Sequence, residues 1–304
     1  MSDQSPFPAL YHPRHWFAWM GIGLLKLITL LPFNLQLWLG RWLGRGLMPL
    51  AKRRRHIAKV NLDLCFPNLS EAQREKLLRK TFESQGMALM EMAHAWLGNP
   101  SRLLSRVHDQ ASALIREEQA KGKGVLLIGA HYNTADIAGS LLGLFVPYDI
   151  IYRPQKSAVV TYIMERGRAR FLKGGTAFQK SDVRAMYGSL RKGRTLWYPA
   201  DQDYGRRHSV FAPFFGVSAA TIDAPTRMVK QTGANVLMSY YYRDKNKNYV
   251  IHAERLEGFT GTDSQRDAEV INAALERLIR QHPEQYMWVH RRFKTRPEGE
   301  EPVY

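Results

Sequence analysis

The sequence predicts an α/β fold: a mostly parallel central sheet flanked by helices, with an N-terminal membrane-anchoring helical segment ahead of it. Three observations predict this. From about Gly122 onward, short apolar runs alternate with helical stretches, which is the pattern of a parallel sheet covered by helices. The 304 residues are 45% hydrophobic and 23% charged, enough to build one α/β catalytic domain and an appendage. And an apolar, tryptophan-flanked stretch precedes the alternating part.

From Trp16 to Trp38 the only charged residue is Lys26, amid Leu24, Leu25, Leu27, Ile28, Leu30 and Leu31. About 20 apolar residues span a bilayer, but Lys26 and Pro32 interrupt this run. It therefore reads either as a transmembrane helix or as a helix lying in the interface, with Trp16, Trp19, Trp38 and Trp42 at headgroup depth. A buried hairpin explains the clustered tryptophans poorly. The run begins late and no small-residue cleavage site follows, which argues against a cleavable signal peptide. Lys52-Arg53-Arg54-Arg55 then marks the cytoplasmic side and holds the body to anionic headgroups, at roughly 1 kcal/mol per basic residue. Residues 1–60 are accordingly expected to be the anchor and basic juxtamembrane segment, and 61–304 the catalytic domain.

In the body, Ser70–Leu97 reads as one long helix: Ser70 and Gln73 have capping-box spacing, and Leu78, Phe82, Leu89, Ala93 and Trp96 form its core stripe. Strands are expected at Val125–Gly129, Tyr148–Tyr152, Thr195–Tyr198, Asn235–Tyr242 and Tyr249–Ala253. Helices are expected at Ala135–Leu144, Ser181–Leu190 and Arg266–Arg280. No internal repeat interrupts this plan.

Charge and cysteine narrow the function. Forty-four basic against 27 acidic residues give +17, which asks for a polyanionic partner: nucleic acid, an anionic membrane or a phosphorylated substrate. The single cysteine, Cys65, excludes an intramolecular disulfide and a thiolate metal cluster, and fits a reducing compartment.

The chemistry-bearing motif follows the first strand of the body. His131 comes two residues after Gly129, at the carboxyl end where open α/β sheets bind ligands. Asp136 completes an H-x-x-x-x-D spacing across the strand-to-helix junction. Histidine is the side chain poised to take a proton from a hydroxyl near neutral pH. Asp136, in an early helical turn, is expected to stay ionised, fix the imidazole tautomer and stabilise the imidazolium. Arg153 is expected at the same sheet edge, with Arg166, Arg168 and Arg170 in a basic run behind it. A guanidinium fork suits phosphate or carboxylate. Asp201 and Asp203 form a D-x-D that could bind Mg²⁺; they are read instead as loop-shaping partners of nearby arginines, with no metal.

The motif and its surroundings resemble the lysophospholipid acyltransferase superfamily. More narrowly, they resemble the late acyltransferases of lipid A biosynthesis, of the lauroyl and palmitoleoyl branch. The matching stretches are His12-Pro13-Arg14 with Trp16, Asn61 to Pro67, Phe82-Glu83-Ser84 with Gly86-Met87, Tyr152-Arg153-Pro154 and Asp201 to Gly205. Near the C-terminus, Glu284 to Trp288 runs into His290 to Pro297. The resemblance implies an acyl–acyl carrier protein donor and an anionic, Kdo-bearing lipid A precursor as acceptor, carrying phosphate and carboxylate groups. It implies a site on the cytoplasmic face of a bacterial inner membrane, no cofactor and no nucleic acid. It favours Arg168 as the arginine nearest the catalytic pair. One residue departs from the pattern: close relatives usually have Glu at the acidic position where this chain has Asp136. Two alternatives remain: a glycerol-phosphate or lysophospholipid acyltransferase, and a non-enzymatic basic protein that binds membrane or nucleic acid. The second accounts for +17 but gives His131 and Asp136 no purpose.

Overall fold

The computed structural model describes residues 10–172 and 174–304. A seven-stranded sheet carries the body, built from β1 (Val107–Gln110), β2 (Val125–Gly129), β3 (Asp149–Tyr152), β4 (Ala177–Gln179), β5 (Thr195–Pro199), β8 (Asn235–Arg243) and β9 (Tyr249–Arg255). Its spatial order is β1-β9-β8-β2-β5-β3-β4. The five strands from β8 to β4 are mutually parallel. β9 runs antiparallel to β8, because Asp244–Asn248 between them is too short for a crossover. All of β2 is buried, as a near-continuous apolar strand in a doubly covered sheet should be. The expected strands are all present, with ends shifted by a residue or two. Unanticipated are the polar edge strand β1, the three-residue β4, and a separate hairpin, β6 (Ser209–Phe214) and β7 (Val217–Ile222). That hairpin turns through Phe215 and Gly216, both at positive φ, as a two-residue loop of its hand requires.

Ten α-helices are described. The N-terminal pair is α1 (Trp16–Ile28) and α2 (Phe33–Leu47); α3 (Lys52–Cys65) and α4 (Glu71–Leu97) follow. Helices α5 (Ser112–Ala120), α6 (Ala135–Leu142), α7 (Ala158–Ala169), α8 (Val183–Arg191), α9 (Ala224–Thr232) and α10 (Ser264–Ile279) belong to the sheet body. The long helix α4 begins at Ser70 with the full reciprocal capping box to Gln73. It is tied to the sheet by a buried ion pair from Glu91 to Arg243, which Tyr249 joins through a 2.6 Å hydrogen bond to Glu91.

The N-terminal segment corrects one expectation. Among the described residues no helix is long and apolar enough to cross a membrane. Pro32, which lacks an N–H and fixes φ, splits the run into 13- and 15-residue helices. The second lies against α4 where Gly40 and Gly44 meet Gly86: a Cβ on Gly44 would stand 2.0 Å from the Phe82 carbonyl oxygen. Lys26 has a structural role, its Nζ donating to the Leu97 carbonyl at the end of α4, 2.5 Å away, where a cation suits the helix dipole. The expected division at residue 60 falls inside α3, which is buried in the body at Ile57, Ala58, Asn61, Leu62 and Cys65. Residues 1–9 of the expected anchor lie outside the described residues.

Candidate active site

Strands β2 and β5 are parallel neighbours, with Gly129 opposite Pro199. Two residues beyond each end come His131 and Asp201, and they meet. His131 Nδ1 lies 2.7 Å from Asp201 Oδ1, and the His131 backbone N–H donates to Asp201 Oδ2 at 3.0 Å. An ionised carboxylate only accepts, so the ring's proton is on Nδ1 and Nε2 is left as the free acceptor. Asp201 is 2% exposed. Burial works against its charge, but the His131 ring and the hydrogen bonds from His131 win and bring its pKa down to about 2.

The segment Glu284–Trp288 holds the His131 loop like a short strand. Met287 N donates to the His131 carbonyl and Asn133 N to that of Gln285, at 3.1 and 2.7 Å. The Gln285 amide in turn pairs with the backbone of Arg243 at the end of β8. Beneath the loop, Tyr132, Tyr240, Tyr241, Tyr286 and Trp288 pack ring against ring, mostly edge to face. Asn61 of α3 reaches across to the carbonyls of Trp288 and His290 at 2.6 and 2.7 Å. Thus three of the stretches singled out in the sequence, far apart in the chain, converge behind one histidine.

Asp136 departs from expectation. Its Oδ1 accepts from Arg168 Nε and Nη2, at 2.9 and 2.7 Å, and from Trp96 Nε1 at 3.0 Å. Among the described residues no hydrogen bond joins it to His131. The imidazole's carboxylate is Asp201, because strand register places residues 131 and 201 side by side. The loop from 131 to 134 instead puts Asp136 in the first turn of α6, against α4 and α7. Of the other expected residues, Arg153 and Arg168 line the same cavity as His131 and Asp136. Arg166 is exposed and bonds to the Tyr162 hydroxyl. Among the described residues neither Asp201 nor Asp203 pairs with an arginine: Asp203 accepts from Gly205 N, Thr295 N and Thr295 Oγ1, shaping its loop through backbone and hydroxyl. The sequence places Trp96 only in a core stripe; its Nε1 bond to Asp136 appears once the fold sets α4 against α6, since the two residues are far apart in the chain.

The cavity itself holds about 360 Å³, within the range of small-molecule sites. Apolar side chains make up much of its wall: Leu127, Leu142, Ile150, Met164 and Leu172 among them. Polar side chains line it too, among them His131, Asp136, Ser140, Arg153, Arg168 and Gln202.

Comparison with known proteins agrees with this geometry. The family model described as bacterial lipid A biosynthesis acyltransferase matches residues 6–295. The lipid A biosynthesis lauroyltransferase of Escherichia coli is 38% identical over 96% of this chain and 95% of its own length. The palmitoleoyltransferase of the same organism is 36% identical over 96% of both chains, and the myristoyltransferase 31% identical over 96% of this chain and 91% of its own. The His131 edge, the cavity and the near-complete match together make this chain a member of the bacterial lipid A biosynthesis acyltransferase family, and an acyltransferase enzyme.

Proposed function

We propose that the protein transfers a fatty acyl chain from an acyl–acyl carrier protein to a hydroxyl of a Kdo-bearing lipid A precursor, at the cytoplasmic face of a bacterial inner membrane. The observation that carries the chemistry is the His131 ring, held through Nδ1 by buried Asp201 with Nε2 left for a substrate, at an apolar cavity. In this reading Nε2 takes the proton of the acceptor hydroxyl as the oxygen attacks the thioester carbonyl. The new C–O bond forms, the C–S bond breaks, and the imidazolium returns the proton to the departing thiolate. Asp201 is the positioning residue that sets the tautomer and balances the imidazolium. Arg168, oriented by Asp136, supplies N–H donors beside the reacting carbonyl, where negative charge develops on oxygen. The acyl chain lies along the apolar wall.

Membrane attachment rests on the N-terminal helices. No residue of α1 is buried, and Trp16, Phe17, Met20, Leu24 and Leu27 on it are all more than 60% exposed. Trp38, Trp42 and Leu50 continue this apolar surface. Short helices with an exposed apolar face and a basic neighbour suit the plane of the interface rather than a span.

The test is thioester consumption by the purified full-length protein, given lauroyl– or palmitoleoyl–acyl carrier protein. Rapid consumption with a Kdo-bearing lipid A precursor, and little with glycerol 3-phosphate or a lysophospholipid, is expected. The opposite preference would place the protein with the glycerolipid acyltransferases.

A further inference from the structure

A second pocket, of about 250 Å³, is lined by Asp203, the residue after Gln202, which lines the apolar cavity. Arg53 and Arg54 of α3 and Arg291 and Lys294 of the C-terminal segment line it, with His290 and Asp203. Among the described residues none of these four cations takes part in an ion pair. Arg54 Nη1 donates to the Val289 carbonyl at 3.0 Å, which fixes its guanidinium at the rim. Arg291 Nε is buried without a hydrogen-bond partner. The single acid, Asp203, is engaged by Gly205 and Thr295 and forms no ion pair with any of the four among the described residues, so one negative charge faces four positive ones. Burial holds His290 below its usual pKa although Asp201 opposes this, and its Nε2 accepts from Asp203 N.

The local arrangement is costly without an anion. Arg53 and Arg54 sit in the first turn of a 14-residue helix that has no acidic residue there, so their charges face the positive end of the dipole. Arg291 and Lys294 add two more from across the pocket. Guanidinium groups in such a ring match the oxygens of a phosphate.

We propose that this pocket is a phosphate-binding subsite, which holds a phosphomonoester of the acceptor lipid while its reacting hydroxyl lies at His131. The inference rests on the functional reading above for the identity of the acceptor. Position favours the lipid over the carrier's phosphodiester. The pocket opens beside the start of α3, two residues after Leu50, whose side chain is 77% exposed, so it lies next to the surface expected to meet the bilayer.

The test compares wild type with the Arg53→Ala/Lys294→Ala double variant; both side chains are exposed, so the fold should survive, which a melting curve checks. KM is measured for a phosphorylated lipid A precursor and for the same precursor stripped of phosphate. The ratio of the second KM to the first is expected to fall about tenfold in the variant, a loss of about 1.4 kcal/mol specific to phosphate. Lys245→Ala, which removes an exposed cation from the β8–β9 turn, should leave the ratio unchanged. An equal KM rise on both acceptors, or a rise confined to the acyl donor, overturns the assignment. A second arm separates this idea from the enzymatic one: titration calorimetry of the full chain with inorganic pyrophosphate. Binding about tenfold weaker in the double variant supports the subsite even if no lipid A precursor is acylated, and equal binding by both proteins overturns it.

Discussion

The sheet edge around His131 and the N-terminal helix pair are built on opposite principles. At the sheet edge hydrogen bonds fix the reacting group: Asp201 takes two from His131, and the loop behind is stitched to Gln285 and Met287, although the buried Tyr132 hydroxyl and Trp197 Nε1 have no partner among the described residues. In α1 and α2 large apolar side chains stand in solvent on one side, and contact with the body comes from close glycine packing, Phe33 against His94, the Arg41–Glu83 ion pair and the Lys26 cap. A buried polar site needs fixed geometry, since a loosely held base loses the directionality of its proton transfer. An apolar face needs only area, because the hydrophobic effect has no direction. The difference teaches that the two regions should fail separately: substitutions at the edge should abolish turnover and spare membrane binding, and substitutions on the helices the reverse.

The largest effect is expected from His131→Ala. Transfer to the lipid acceptor should fall about a hundred- to ten-thousand-fold, while sedimentation with anionic vesicles matches wild type. Near-normal turnover in the folded variant would remove the base from the mechanism, and lost vesicle binding would merge the two regions.

Next come the two carboxylates, which sharpen the picture within the edge itself. Asp201→Asn should cost about a hundredfold or more in kcat, since an amide can neither balance the imidazolium nor enforce its tautomer. Asp136→Asn should cost less, because it loosens Arg168 rather than His131, and Asp136→Glu should keep measurable activity. If the Asn variants ranked the other way, Asp136 would be the histidine's partner during turnover. A pH titration of stability adds a second readout for Asp201. Its folded pKa, about 2, lies below the ordinary 3.8, so its charge stabilises the fold above pH 4 and that contribution fades as pH falls through 2. The advantage of wild type over Asp201→Asn, of about 2 kcal/mol from this source, should therefore shrink between pH 4 and pH 2. A constant gap would mean that the carboxylate is not held ionised by its neighbours.

The smallest effect on catalysis, and the clearest on location, should come from Leu24→Ser with Leu27→Ser. These side chains are 61% and 62% exposed, so the melting temperature should hardly move. A fully buried leucine is worth about 1.5–3 kcal/mol, so vesicle partitioning should fall about tenfold or more, with turnover on detergent-dispersed acceptor preserved. Unchanged partitioning would shift attachment to the basic residues alone, a case that added salt would expose.

The sequence by itself determined the local features. The apolar run Val125–Gly129 had to be a buried strand and Thr195–Tyr198 a strand, Ser70 and Gln73 had to start a helix, and His131 had to follow a strand at its carboxyl end. Each depends on near neighbours in the chain, through side-chain period, capping or strand-end position. Even the halt of the apolar run at Pro32 was visible as an interruption, although its result, two short helices, was not. Only the tertiary structure decided which carboxylate serves the histidine. The spacing from His131 to Asp136 suggested a pair, but residue 201, seventy positions away, arrives beside the ring through the register of β2 and β5, while Trp96 and Arg168 claim Asp136. Likewise Arg292, one basic residue among several in the sequence, proves to be 2% exposed and bonded to Ala220, Thr221 and Asn272, whereas its neighbour Arg291 lines a pocket with α3. Charge and spacing are written along the chain, but a hydrogen bond reaches only about 3 Å, so its partner is chosen by whichever strands and helices the fold brings together.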